Sequence, residues 1–368
     1  MTVYFLLIVY IFAIAILVYR GGKPSKRKNK VFVVMSFFSV VVLESLRAET
    51  VGIDTNDYIL AFKFLNNYNW REAFTVTKYE AGYVFLNKLV GTFTNNPQFL
   101  LFAVSLLMMI NFGFFIYYNT DDCEYTLWPV YFWITLNHLF TSMVSLRQYL
   151  ALSIAINIYT VLKREFNRKN VIISVALLLL AMSFHTSAIF CIFFFVVLFI
   201  KQVDRKIIIL TSVLSVIALV FFSYIENLVL TLLPRYVRYR EYQGRYVGRS
   251  ITTINIIFIL LKVLFAVLVF MLNPKREENK DIYRLGCLSI ISAEITTLTT
   301  QVYLLWRVGY YYDIFMILLV PKVLKRISNR TMRVCCFIGM VIFGLLYYYR
   351  QMYYNSAQDV PYRFFFSG

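Results

Sequence analysis

The sequence predicts an all-α, polytopic integral membrane protein, and three observations carry that prediction. Hydrophobic residues make up 60% of the chain and the mean hydropathy is +0.67, against roughly 45–50% apolar residues in soluble domains. Charged residues are only 15% and cluster between apolar runs. Those runs recur along the whole chain. Many are near the length at which a helix crosses lipid with every backbone hydrogen bond closed inside the segment.

The apolar runs lie near 3–19, 31–46, 98–118, 127–142, 148–162, 171–184, 187–200, 207–222, 252–272, 282–304, 309–320 and 334–348. About twelve transmembrane helices are expected, the shorter runs tilting or extending into polar turns. No internal repeat or low-complexity linker is visible, so residues 1–368 are expected to form a single polytopic membrane domain. The first run has no basic stretch before it and no small-residue cleavage site, and its basic cluster, Arg20 to Lys30, follows it. An uncleaved first span with its N-terminus outside is the expectation.

Twelve spans from that start place alternate loops inside. The inside loops 20–30, 163–169, 201–206, 273–281 and 321–333 carry 6, 4, 3, 3 and 5 lysines and arginines, the density that holds cytoplasmic loops in place. The acidic loop 119–126 carries none, and acidic residues weigh little in that rule. Both termini are therefore expected on the extracytoplasmic side of a bacterial cytoplasmic membrane. Two outside segments, 47–97 and 223–251, are too long to be turns.

A net charge of +18 suggests nucleic acid in a soluble protein. In a membrane protein it is read instead as basic loops facing anionic membrane lipids, with no nucleic-acid partner. Cys191, Cys287, Cys335 and Cys336 lie in or beside apolar segments and Cys123 in a short loop, none at metal-ligand spacing. Two histidines cannot build a metal site unaided. There is no P-loop, no GxGxxG and no carboxylate cluster, so no metal and no cofactor is expected.

The chemistry-bearing residues gather on the expected outer side. In 223–251, Arg235, Arg238, Arg245 and Arg249 would share one helical face, interleaved with Tyr236, Tyr239, Tyr242 and Tyr246. A guanidinium fork suits phosphate oxygens, and a tyrosine ring and hydroxyl suit a sugar. An interfacial aromatic belt binding lipid headgroups is the plainer reading, and Gly244 and Gly248 weaken the helix. Arg47, Arg147 and Arg307 stand at the ends of apolar runs on the same side. Singly each reads as a snorkelling anchor; converging, they read as an anion site.

Asp54, Glu80 and His185 are the titratable candidates for removing a proton from a sugar hydroxyl. Asp54 also reads as a helix N-cap, Glu80 as an ordinary polar position, and His185, in SFHTSA, as a structural histidine at a turn. Tyr79, Tyr83 and Leu86 recur at helical spacing, as in an interfacial amphipathic helix.

Seven pieces in order then carry a resemblance. They are Arg47 to Tyr58 (RAETVGIDTNDY), Tyr79 to Leu86 (YEAGYVFL), Arg147 to Ala151 (RQYLA), Phe184 to Ala188 (FHTSA), Pro234 to Tyr239 (PRYVRY), Arg307 to Tyr312 (RVGYYY) and Val360 to Phe364 (VPYRF). The chain resembles the EpsG branch of the Wzy-type bacterial polysaccharide polymerases, with Ile53 standing where that branch usually has threonine before the aspartate. The resemblance implies a glycosyltransferase of exopolysaccharide, capsule or O-antigen synthesis. It would move a growing glycan from undecaprenyl pyrophosphate onto an incoming lipid-linked repeat unit. Arg47, Arg147, Arg235, Arg238 and Arg307 would hold the pyrophosphates. Gln148, Tyr239 and Arg245 would line the same site, and Asp54, Glu80 or His185 would act as base. Partners implied are the lipid-linked oligosaccharide, the pathway's flippase and its chain-length regulator. The rival readings are a lipid-oligosaccharide flippase or transporter, or another outer-face transferase (a glycan ligase or an acyltransferase).

Overall fold

A computed structural model describes residues 1–199, 217, 221, 224, 231, 253–272, 280–299 and 305–367. The run 207–222, apart from two residues, and Arg235, Arg238, Tyr239 and Arg245 lie outside the described residues. Among the described residues the structure is helical, and the one pairing of extended chain is an isolated bridge between Arg47 and Phe364.

Four helices are long and apolar enough to cross a membrane: α1 (Thr2–Tyr19), α6 (Gln98–Asn119), α13 (Thr253–Leu272) and α17 (Arg330–Tyr354). Their outward faces are greasy. Val9, Ile16 and Leu17 in α1, Leu260, Leu264 and Met271 in α13, and Ile338, Ile342 and Leu346 in α17 are all exposed. Rows of large apolar side chains are costly against water and at home against hydrocarbon. The protein is a membrane protein.

The described residues fall into two compact units, Met1–Phe194 with Thr331–Gly368, and Phe195–Arg330. In the first, α2 (Lys26–Ser45) packs along α6. Gly113 leaves room there, since a Cβ at that position would stand 3.2 Å from Val33 and 3.5 Å from Phe37. Trp133 fills the adjoining core, 5.3 Å from the rings of both Phe37 and Phe112. The segment between α2 and α6 holds α3 (Thr55–Asn66), the single turn α4 (Trp70–Ala73) and α5 (Ala81–Phe93). Lys88 of α5 closes the end of α3, its Nζ donating to Tyr68 O at 2.7 Å.

The two apolar runs over 127–162 form not two helices but four: α7 (Leu127–Thr135), α8 (His138–Val144), α9 (Leu146–Ala155) and α10 (Asn157–Arg164). The first break turns on Asn137, which takes a left-handed conformation (φ 76°) that asparagine tolerates better than most residues. The second lies at Ser145 (φ −99°, ψ 52°). Broken backbone at membrane depth persists only where its freed polar groups are met inside the protein. Here Tyr58 donates to Val144 O at 3.1 Å and Arg47 to Met143 O at 3.1 Å.

Downstream, α11 (Arg168–Phe184) leads through a 3-10 turn (Thr186–Cys191) into α12 (Ile192–Phe199). The second unit holds α13, α14 (Lys280–Leu298), α15 (Trp306–Asp313) and α16 (Met316–Lys325), with α13 and α14 packed as a pair. The run 309–320 is likewise split, at Ile314 and Phe315.

Candidate functional site

The break at Ser145 places Arg147 in the first turn of α9, where the piece RQYLA meets the piece YEAGYVFL, itself held by FHTSA. Its Nη1 donates to Glu80 Oε2 at 2.5 Å. The guanidinium lies 4.6 Å from the Tyr79 ring centroid and 5.6 Å from that of Tyr83, so two aromatic faces add to its hold. Its Nε is buried without a hydrogen-bond partner among the described residues. Side-chain exposure is 23% for Arg147 and 16% for Glu80, so the pair is sheltered but reachable.

Glu80 occupies the position just before α5, which begins at Ala81 rather than at Tyr79. Its second oxygen, Oε1, accepts from Thr186 N at 3.2 Å. The approach depends on Gly82. A Cβ there would meet Ser183 Oγ and would stand 2.8 Å from Ser183 O, so only glycine lets the start of α5 sit against the end of α11. His185 takes a different task from the one expected. Its Nδ1 accepts from Ser187 N at 3.3 Å and lies 2.7 Å from Ser187 Oγ, which caps the 3-10 turn and leaves the proton of a neutral ring on Nε2.

Arg47 belongs to a second, closed cluster. It is 0% exposed. Nε donates to Thr55 Oγ1 (3.3 Å), Nη1 to Glu44 O (2.5 Å) and Nη2 to Met143 O (3.1 Å). Gly52, at φ 91°, makes the turn beneath it, where a Cβ would stand 2.7 Å from Thr55 Oγ1. The C-terminal strap closes the cluster. Ala48 N donates to Arg363 O, Ile53 N to Ala357 O and Phe365 N to Leu46 O, each within 2.9 Å. Thus the pieces RAETVGIDTNDY and VPYRF meet in space. Asp54 is half-buried at the start of α3, and Gln148 is buried beside Arg147. Arg307, in the second unit, is exposed and lies 5.5 Å from the Trp306 ring.

Asp359 of the strap is buried with Oδ1 unpartnered, facing Arg47, Glu44, Tyr4 and Tyr348. Burial pushes its carboxyl up to about 8; the Arg47 charge opposes this and Glu44 adds to it. Burial likewise pushes the Arg47 guanidinium down, against the pull of Glu44 and Asp359. The folded carboxyl thus keeps a proton that the unfolded chain, ionising near 3.8, gives up. The stability this contributes is complete below the unfolded value and lost as pH rises through about 8. Melting temperature in detergent is expected to fall between about pH 4 and about pH 8 and to level off above that, and Asp359→Asn to flatten the fall. An unchanged slope in the variant would place the titration elsewhere.

Among the described residues no group of three or more His, Cys, Asp or Glu stands close enough to hold a metal ion. The sequence reading passed over Glu44 and Asp359 of the closed cluster and, in the second unit, Lys262 and Asp313. Lys262, in the middle of α13, is 3% exposed and pairs with Asp313 at 2.6 Å. A single lysine in an otherwise apolar twenty-residue helix was the signal for it.

No curated protein and no solved structure matches the chain. A family model does, across nearly the whole length and through all seven pieces quoted above. With residues 30–364 matched by the model of the EpsG family, the chain belongs to that family.

Proposed function

We propose that the protein is a polysaccharide polymerase of the bacterial cytoplasmic membrane. It would transfer a growing glycan from undecaprenyl pyrophosphate to a lipid-linked repeat unit on the outer face. The observation that supports this best is Arg147, stacked on Tyr79 and Tyr83, with Nε buried and without a hydrogen-bond partner among the described residues and its charge balanced by Glu80. Such a site is built for an anion yet neutral while empty. An incoming pyrophosphate offers two or more oxygens to the fork and displaces Glu80, which then stands beside the substrate with its charge free. Preorganised positive charge at the leaving group is the largest usual contribution in a step of this kind.

In this reading Arg147, with Gln148 next to it, binds pyrophosphate, and Arg235, Arg238, Tyr239, Arg245 and Arg307 are the further candidates for binding pyrophosphate or glycan. Arg47 is a positioning residue: it holds the α8–α9 break that sets Arg147. Asp54, Glu80 and His185 remain the candidates for the base that deprotonates the acceptor hydroxyl. The test is a cell in which the gene is deleted. Single repeat units should accumulate on the lipid carrier and polymer should vanish, both restored by the wild-type gene; full-length polymer without the gene would contradict the reading.

A second reading, a lipid-oligosaccharide flippase, draws support from one observation. Lys262, in the middle of the candidate span α13, pairs with Asp313 at the end of α15, and transporters keep charged groups within their spans.

A further inference from the structure

Helix α5 turns its single charge inward. Lys88 is buried and donates to Leu65 O and Tyr68 O, and no other residue of the helix is charged. The face that reads as amphipathic in the sequence, through Tyr83 and Leu86, is turned inward too, and Val84 packs with Leu65 and Ala73. What faces out is Ala81, Phe85, Leu89 and Phe93, a row at four-residue spacing. Phe93 is 81% exposed, and Trp70, itself exposed, flanks the row with its ring 5.7 Å from that of Phe85. A contiguous row of large exposed apolar side chains marks an interaction site.

The two ends of the row select its occupant. At one end, Ala81 follows Glu80, the ion partner of Arg147. At the other, Phe93 stands shortly before Gln98, where the candidate span α6 begins, and apolar exposure continues along α6 at Phe99, Phe102 and Ile110. Both ends lie at the same end of the first unit's helices. Gln98 Nε2 donates to Ser45 O at 2.8 Å and to Arg47 O at 2.6 Å, while Arg47 donates to Met143 O just before the break that sets Arg147. From there α6 runs beside α9 and α10 in the same direction: Asn157 Nδ2 donates to Asn111 O at 3.2 Å and Asn119 Nδ2 to Thr160 Oγ1 at 2.8 Å. The row therefore leads from the edge of the hydrocarbon to the anion site over about 20 Å, the length of a thirteen-residue helix. A soluble anion would leave the row uncovered, and an uncharged lipid would leave Arg147 unused. An amphiphile with an anionic head and a long apolar tail meets both.

We propose that the row Phe85, Leu89 and Phe93, with Trp70 at its side, is the docking surface for the polyprenyl tail of the lipid carrier whose pyrophosphate binds at Arg147. This deepens the polymerase reading and rests on it. The tail lies along α5 with its far end in the bilayer at α6, so the head is delivered to Arg147 without leaving the membrane edge.

The experiment measures binding to the full-length protein in phospholipid vesicles, with undecaprenyl pyrophosphate and inorganic pyrophosphate as probes. Phe85→Ser/Leu89→Ser should weaken undecaprenyl pyrophosphate about 10- to 100-fold, the effect of withdrawing two apolar side chains, and leave inorganic pyrophosphate at its wild-type affinity. Arg147→Ala should weaken both probes. Ile110→Ser, which removes an exposed side chain from the lipid face of α6, should bind both as the wild type does. The exchanged variant Phe85→Leu/Leu89→Phe keeps the apolar surface and should keep the affinity. If the double serine variant binds undecaprenyl pyrophosphate as tightly as Ile110→Ser does, the row faces bulk phospholipid and the assignment falls. If the exchanged variant loses affinity as fully as the serine variant, the row serves the fold and the assignment falls as well. If the wild type binds neither probe, or Arg147→Ala binds both normally, the pyrophosphate site falls, and the polymerase reading loses its main support together with this proposal.

Discussion

Arg147→Ala should cut polymer formation about 100- to 1000-fold, the effect of losing one preorganised donor worth roughly 3–4 kcal/mol to a developing charge. The structure adds a reason to expect little loss of folded protein. Glu80 keeps Thr186 N as a partner when Arg147 is removed, and at 16% exposure it is not sealed from water. Arg147→Lys should recover only part of the rate, because an ammonium neither forks onto two phosphate oxygens nor lies flat between Tyr79 and Tyr83. Polymer length on gels, normalised to membrane-inserted protein, is the measurement. Long polymer from well-inserted Arg147→Ala would remove this residue from the site.

Arg47 should behave in the opposite way. Its three nitrogens meet Thr55, Glu44 and Met143 in a place with no solvent access, and Glu44 and Asp359 lie within its field. Removing one partner from a buried charged cluster typically costs about 3–5 kcal/mol, because the remaining charges are left uncompensated. Arg47→Ala is therefore expected to lose most of its folded protein. Lysine should restore little, having one nitrogen where three are used. Thermal unfolding in detergent checks this. A variant that stays folded at wild-type stability but makes no polymer would return Arg47 to the pyrophosphate site that the family resemblance implies.

These two arginines also mark how far the sequence could be read. Both stand at the ends of apolar runs, and by hydropathy alone they are equivalent rim charges. What divides them is the break at Ser145, whose freed carbonyls draw Arg47 inward and turn Arg147 towards Tyr79 and Glu80. The gap between the runs 127–142 and 148–162 contains that break, but not what it does to the two arginines, and the further breaks at Asn137 and Ile156 fall inside runs of continuous hydrophobic composition. The membrane class was legible, since lipid demands long apolar helices whatever their order. The ordered pieces were legible too. Their meeting was not: Glu80 and Arg147 are 67 residues apart in the chain, and the strap from Asp359 to Phe365 returns to Leu46 and Ala48 only through tertiary folding. Glu80 was picked for its charge, but its place before α5 depends on Gly82 against Ser183, a close approach that a sequence shows only as one more glycine. Lys262 is the reverse case, plainly visible and outweighed by the arginines at the rims.

The central claim is transfer between two lipid-linked glycans, and the direct measurement is elongation by purified protein in liposomes. The substrate is a single chemically defined repeat unit on undecaprenyl pyrophosphate, with chelator present throughout. The account predicts a ladder of products spaced by one repeat unit, free undecaprenyl pyrophosphate released in step with each addition, and a ladder lost with Arg147→Ala. Movement of the repeat unit across the bilayer with no lengthening would contradict it and identify a flippase; lengthening that requires an added divalent cation would contradict the metal-free chemistry.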